Sequence, residues 1–221
     1  GNYTHLTFSH IATACTSKGP LYIFRNVFGE SRRTHSNPLG GPMIKTGERD
    51  QYGGGRRYVF HNTALQPNGS FHAFSGHVNP NCVTRNNVFD CPGRLASSIQ
   101  VDIPCDFDYD LYTGMVKGIA REKHGVRTKP SYIESHYLEF FPAGSTTTIK
   151  WGKIPISRMG KEKTITDPVV SIPNPMIDGG IHIPGFNDGF TGEAPDIGAF
   201  ELRCPPLRFG RAAGGRVWAP W

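Results

Sequence analysis

The amino-acid sequence predicts an all-β fold of stacked coils, and three observations predict it. Among 221 residues there are 27 Gly and 18 Pro, with 37% hydrophobic residues, a turn-dense composition that interrupts helix interiors. Four short segments resemble one another: Tyr22-Ile-Phe-Arg-Asn26-Val-Phe28, Tyr58-Val-Phe-His-Asn62-Thr-Ala64, Val83-Thr-Arg-Asn-Asn87-Val-Phe89 and Phe107-Asp-Tyr-Asp110-Leu-Tyr112. The marker residues Asn26, Asn62, Asn87 and Asp110 follow one another at intervals of 36, 25 and 23 residues, and self-similarity of this kind marks repeat architectures.

In chain order, Asn2 stands 24 residues before Asn26, already in phase with the column. No capping segment is visible there, so a missing N-terminal portion or another subunit is expected to cover the open coil end, whose unpaired backbone would otherwise invite aggregation. The 36-residue interval reads as one coil carrying an inserted loop at about 29–57. That loop is punctuated by Gly40-Gly41 and Gly53-Gly54-Gly55 and is rich in cations: Arg32, Arg33, Lys45, Arg49, Arg56 and Arg57. The two shorter intervals match what one coil of a parallel β-helix consumes when three short strands are joined by turns. The longest helix-compatible stretch, Tyr112 to His124, has two glycines and no clean apolar stripe, so helix is a minor element. From about 117 to 170 the repeat fades into a second insertion, with strand-like Thr146 to Trp151 and a basic run from Arg158 to Lys163 that reads as a solvated loop. Residues 1–202 are thus the coils with their insertions, and 203–221 form a C-terminal extension packing across the end of the stack or onto a partner.

The Asn and Asp positions have a physical reason. At a tight turn a side-chain amide bonds nearby backbone and tolerates left-handed geometry, and amides stacked coil on coil at ~4.8 Å also bond one another. Asn26, Asn62, Asn87 and Asp110 are therefore read as a buried ladder. Of the five cysteines, Cys82 and Cys105 each lie five residues before a ladder position, so they are expected to stack as a disulfide or a close contact. An odd count without a CxxC pair argues against a zinc ribbon.

These strand-plus-Asn coils resemble the right-handed parallel β-helix proteins, a superfamily that includes pectate lyases and other carbohydrate-active enzymes. The resemblance spans about Tyr3 to Glu201 and is sharpest at Gly192-Glu-Ala-Pro-Asp-Ile-Gly-Ala-Phe-Glu201, similar to the Pro-Asp-Ile-Gly-Ala-aromatic-Glu ending of secreted bacterial members. It implies a C-terminal part of such a fold, secreted or extracellular, with that segment closing the last coil. Asp196 and Glu201 are then structural; their other use would be as calcium ligands, hard oxygen donors at a glycine-rich turn. The sequence has no Asn-Thr-Asp, Gly-His-Gly or Arg-Ile-Lys, so polygalacturonase-like hydrolysis does not transfer residue by residue.

The formal charge of +6 and the clustered cations favour an anionic partner, and the resemblance implies an acidic polysaccharide. A lyase would need a base beside a uronate carboxylate and cations to hold it. The candidates are His61 as base with Arg57 and Lys45 in the catalytic set, and Arg32, Arg33 and Arg56 as substrate-binding residues. A glycoside hydrolase would need facing carboxylates, for which Asp106, Asp108 and Asp110 are the densest group. His61, His72 and His77 match no zinc-motif spacing, so the metal is left open, with calcium the ion considered. The competing class is a non-enzymatic surface, adhesive or filament-forming scaffold, since fold does not fix function. No segment is long and apolar enough for a membrane span, and nucleic acid is disfavoured because the basic residues are not interleaved with a stacking platform.

Overall fold

The structure is a computed structural model and describes residues 3–4, 11–13, 20–29, 43–46, 56–65, 72–75, 82–91, 94–96, 106–114, 122–130, 175–202 and 204. Fourteen strands appear there and no helix. They are β1 (Tyr3–Thr4), β2 (Ile11–Thr13), β3 (Leu21–Phe24), β4 (Val27–Phe28), β5 (Ile44–Thr46), β6 (Arg57–Phe60), β7 (Thr63–Leu65), β8 (His72–Ser75), β9 (Cys82–Arg85), β10 (Val88–Asp90), β11 (Arg94–Ala96), β12 (Asp106–Phe107), β13 (Leu111–Tyr112) and β14 (Val126–Arg127). Among the described residues no helix is long and apolar enough to cross a membrane.

The strands form three sheets, in the orders β1-β4-β7-β10-β13-β14, β2-β5-β8-β11 and β3-β6-β9-β12. Every strand pairing is parallel. Through β13 the chain visits the first, second and third sheets in rotation, so each strand pairs with the one three elements on. Side-chain alternation then sorts each strand. In the third sheet Ile23, Val59, Thr84 and Phe107 share one row and are all buried. In the first, Phe28, Ala64, Phe89 and Tyr112 share another. With Met43, Ile44 and Phe74 these rows supply one apolar cluster fed by all three sheets. Phe74 of the second sheet meets Phe89 of the first at 5.5 Å and Phe107 of the third at 5.2 Å between ring centroids. Edge-on aromatic contact of this kind adds to the burial of each ring.

The turn from the third sheet to the first carries the column of amides. Asn26 donates through N and Nδ2 to Asn62 Oδ1, at 3.1 and 2.9 Å. Asn62 donates in the same way to Asn87 Oδ1, at 2.9 and 2.8 Å. Asn87 donates to Asp110 Oδ1, at 2.7 and 2.8 Å. The last member receives amide donors and passes none on, a role a carboxylate fills better than an amide; its Oδ2 takes the Thr84 hydroxyl. The left-handed backbone belongs not to the ladder residues but to those just before them: Arg25, His61, Asn86 and Tyr109 have φ of 53, 51, 57 and 59°. The corner is turned one residue early, which frees the amide to point along the column.

Three sequence expectations change here. The stretch 29–57 is not wholly an insertion, because β5 lies inside it, paired with β2 and β8, with Met43 and Ile44 buried. The stretch from 117 likewise contains β14, which extends the first sheet beyond β13. The segment containing Gly192–Glu201 does not simply follow the last strand; it lies laterally across the turn column. Arg25 Nη2 donates to Phe186 O at 2.6 Å, Gly198 N to Asn86 O at 2.8 Å and Ala199 N to Thr63 Oγ1 at 3.0 Å. Met176 and Ile197 bury Val88 and Leu111, on the face of the first sheet opposite Phe89. Close approach requires glycine at two points. A Cβ on Gly180 would meet Pro195 O at 2.7 Å and Asn86 Cγ at 2.9 Å, and Gly198 has φ +117° with Thr63 Oγ1 3.0 Å from where its Cβ would be.

Candidate functional site

The outer face of the third sheet gathers the exposed chemistry. Because Ile23, Val59, Thr84 and Phe107 point inward, their neighbours point out. One outward row runs Tyr22, Tyr58, Val83, Asp106 and the next runs Phe24, Phe60, Arg85. The β3 and β6 end is aromatic. Tyr22 and Tyr58 stack at 5.0 Å with an interplanar angle of 11°, and Phe186 abuts Tyr22, Phe24 and Phe60 at 5.6, 5.6 and 5.2 Å. Tyr22 is 46% exposed, the exposed large hydrophobic of the described residues. The exposed Arg56 sets its guanidinium 5.7 Å from the Tyr58 ring centroid, within cation–π range.

The β9 and β12 end is polar. Arg85 Nη2 pairs with Asp106 Oδ2 at 2.7 Å, while Nη1 donates to Thr84 O at 2.7 Å and Asp106 O at 2.9 Å. Asp108, the next outward position, accepts at Oδ1 from the backbone N–H of His124 at 2.6 Å and of Tyr109 at 3.0 Å. Its Oδ2 lies 2.7 Å from His124 Nδ1, and the imidazole stacks on Tyr109 at 4.6 Å. Burial pushes the Asp108 carboxyl up, but the His124 and Tyr109 hydrogen bonds outweigh it and leave the carboxyl below its ordinary value. A second exposed pair, His182 Nε2 with Asp188 Oδ1 at 2.8 Å, sits on the lateral segment.

The residues expected to act on substrate are dispersed. His61 is 1% exposed, and both ring nitrogens are engaged: Nδ1 donates to Gly198 O at 3.2 Å, and Nε2 accepts from Asn187 at 2.8 Å and Asn86 at 3.1 Å. Burial first, then the Arg25 charge, lowers its pKa from 6.5 to about 3. It is a neutral ring pinning the lateral segment, and its enclosure removes it from the role of a solvent-facing base. Arg57 is buried too, in the row it shares with Leu21 and Cys82, so it does not join the exposed cations. Lys45 is exposed but stands on the second sheet, between Ala12 and Ser75. Among the described residues Arg56 is the expected cation that lies on the aromatic face; Arg32 and Arg33 lie outside the described residues.

The three aspartates diverge as well. Asp106 and Asp108 project outward, whereas Asp110 enters the ladder after the Tyr109 corner. Beside Asp110, the Glu122 carboxyl accepts its N–H at 3.4 Å, and Glu122 Oε1 is buried without a hydrogen-bond partner among the described residues. Burial, then the Asp110 charge, drives Glu122 far above the ordinary carboxylate range. Burial raises Asp110 as well, opposed by its Thr84 and Asn87 hydrogen bonds.

Asp196 and Glu201 spend their oxygens on backbone. Asp196 accepts from Asp178 N at 2.9 Å and Leu202 N at 2.6 Å, and Glu201 from Thr191 N and Asp196 N, each at 3.0 Å. Among the described residues no cluster of three or more His, Cys, Asp or Glu could hold a metal ion. Only the backbone of His72 is described, and His77 and Cys105 lie outside the described residues, so the expected Cys82–Cys105 contact does too; Cys82 is buried on β9. His124 and Asp108 were not singled out as a pair from sequence, although Asp-x-Asp-x-Asp alternation already sends Asp106 and Asp108 to one face. No protein-family model, curated protein or solved structure matches the chain.

Proposed function

We propose that the chain is a right-handed parallel β-helix of the carbohydrate-active, extracellular kind, and that it holds an acidic polysaccharide along the outer face of its third sheet. The rotation of strands among three parallel sheets and the continuous amide column support the fold. The observation that carries the function is the Tyr22–Tyr58 stack with Arg56 over it. Aromatic surface accepts the apolar C–H faces of a sugar ring, tyrosine hydroxyls meet its hydroxyls, and a guanidinium binds a carboxylate through paired donors. The same face continues for about 10 Å from β6 to β12, two strand spacings, so a polymer would lie across several coils. Lysis or hydrolysis of that polymer is the activity this placement favours.

The test is binding by affinity electrophoresis in gels cast with polygalacturonate, alginate, xylan or neutral glucan, together with ultraviolet absorbance for unsaturated products and a reducing-end assay. The expected result is retardation by the uronate polymers, weakened about tenfold in Tyr22→Ala, the equivalent of about 1.4 kcal/mol. Retardation by neutral polymers alone, or equal affinity in Tyr22→Ala, would remove the proposal. Binding without any product would point to the scaffold class.

A further inference from the structure

Resting on that reading, we infer that Asp108 and His124 form its proton-transfer pair, with His124 Nε2 as the group that takes a proton from the bound uronate. Three observations converge. The Nδ1 of His124 is fixed by Asp108 at 2.7 Å, which sets the tautomer and turns Nε2 into the acceptor. Nε2 has no hydrogen bond among the described residues, and the imidazole side chain is 45% exposed. The carboxylate partner is itself over-determined, taking the backbone N–H groups of both His124 and Tyr109, so the ring is held at a fixed angle against Tyr109. A base oriented by a carboxylate is the arrangement general-base chemistry requires.

The surroundings select His124 over the other exposed pair. Lys123, Arg127 and Lys129 are all exposed within the 122–130 stretch, a local supply of cations for a uronate carboxylate. The 175–202 segment that carries His182 and Asp188 contains no Lys or Arg and five carboxylates, Asp178, Asp188, Glu193, Asp196 and Glu201, and would repel that substrate. The pair also lies at the β12 end of the face whose β3 end is the tyrosine stack.

The step balances without a further reagent. His124 Nε2 takes the proton from C5 of a 4-linked uronate, the released electron pair forms the C4–C5 double bond, and the C4–O bond breaks. The departing oxygen receives the proton back from the imidazolium or from water. Cations beside the carboxylate stabilise the charge that develops at C5.

The experiment compares wild type, His124→Ala, Asp108→Asn and Tyr22→Ala on polygalacturonate and alginate, measuring unsaturated product, KM and binding, with and without added imidazole. The expected result for His124→Ala is a kcat lower by about 10²–10⁴-fold, with binding retained and turnover partly restored by imidazole. Asp108→Asn, which keeps one acceptor oxygen for the backbone N–H groups, is expected to lower kcat with little change in KM. Rescue by imidazole distinguishes a reacting ring from a merely structural one. Turnover of His124→Ala within a few-fold of wild type, loss of binding in proportion to turnover, or absence of imidazole rescue would each overturn the assignment. A wild-type protein that binds the polymers and releases no unsaturated product would overturn it while leaving the binding surface intact; one that neither binds nor cleaves would overturn both.

Discussion

Replacing Asn87 by alanine is expected to remove a large fraction of the protein's stability. The side chain is fully buried and serves two directions at once. Its Oδ1 accepts from Asn62 N and Nδ2, and its Nδ2 donates to Val59 O, Arg85 O and Asp110 Oδ1, all between 2.8 and 3.0 Å. Alanine would orphan the backbone N–H of Asn62, leave Asn62 Nδ2 with Ile23 O and Phe60 O as its acceptors, and withdraw the amide donor from three acceptors. A buried polar group without a partner costs about 1–3 kcal/mol, which is the loss the orphaned Asn62 N–H alone accounts for. Against a typical total of roughly 5–15 kcal/mol for a domain, this is a large share of the margin. With a urea m-value of about 2 kcal/mol/M, a loss of about 2 kcal/mol moves the midpoint down by about 1 M. Asn87→Asp provides the internal control. It restores an acceptor for Asn62 but sets a carboxylate against Asp110, so its stability should fall further as the pH rises out of the carboxylate range. Urea titrations at two pH values read both effects. A loss in Asn87→Ala below about 1 kcal/mol, or an Asn87→Asp variant indifferent to pH, would refute the claim that the column is dry and continuous.

Two further outcomes follow from the buried titratable groups. Because Glu122 has its folded pKa raised, the unfolded chain releases its proton first; stability should decline as pH rises above the ordinary carboxylate value near 4.5. Glu122→Gln should flatten that decline and raise the melting temperature at pH 8, read by thermal denaturation across pH 4–9. His61 acts in the opposite direction: its folded pKa of about 3 lies below the ordinary 6.5, so stability is lost as pH falls below 6.5, by up to about 1.4 kcal/mol for each pH unit. Limited proteolysis between pH 7 and pH 5 should therefore show increasing cleavage within 175–202, and His61→Gln should weaken the segment at pH 7 while removing this pH dependence.

The parts of the fold legible in the sequence were those repeated at constant phase. Asn62, Asn87 and Asp110 recur at nearly equal intervals beside alternating apolar residues, and hydrogen bonding along a stack demands that recurrence. The second sheet was not legible, because Ile11–Thr13, Ile44–Thr46, His72–Ser75 and Arg94–Ala96 are short and mixed in composition; what identifies them as strands is the neighbour above and below. His61 was misread for a related reason. Its place beside Asn62 was visible, but its enclosure depends on Asn187 and Gly198, more than a hundred residues later, and no local pattern encodes that cover. The tyrosine stack is not legible in the sequence because a strand of Tyr-x-Phe spells alternation without saying which face stays open. His124 lay in a stretch where the repeat had faded, and only Asp108 across the corner gives it a role.

The lateral segment also has a temporal meaning. It bonds Arg25, His61 and Asn86 from positions 161, 137 and 95 residues further along the chain, and those partners come into line only when β3, β6 and β9 have already paired. Contacts of such long range form late. A nascent chain emerging from the ribosome would thus present a bare row of left-handed corners until residues 175–202 had been made. Arrival of that stretch acts as a clasp that can be fastened only on correctly registered strands: one slipped strand would misalign the receiving groups, and the latch would report the error by staying undone.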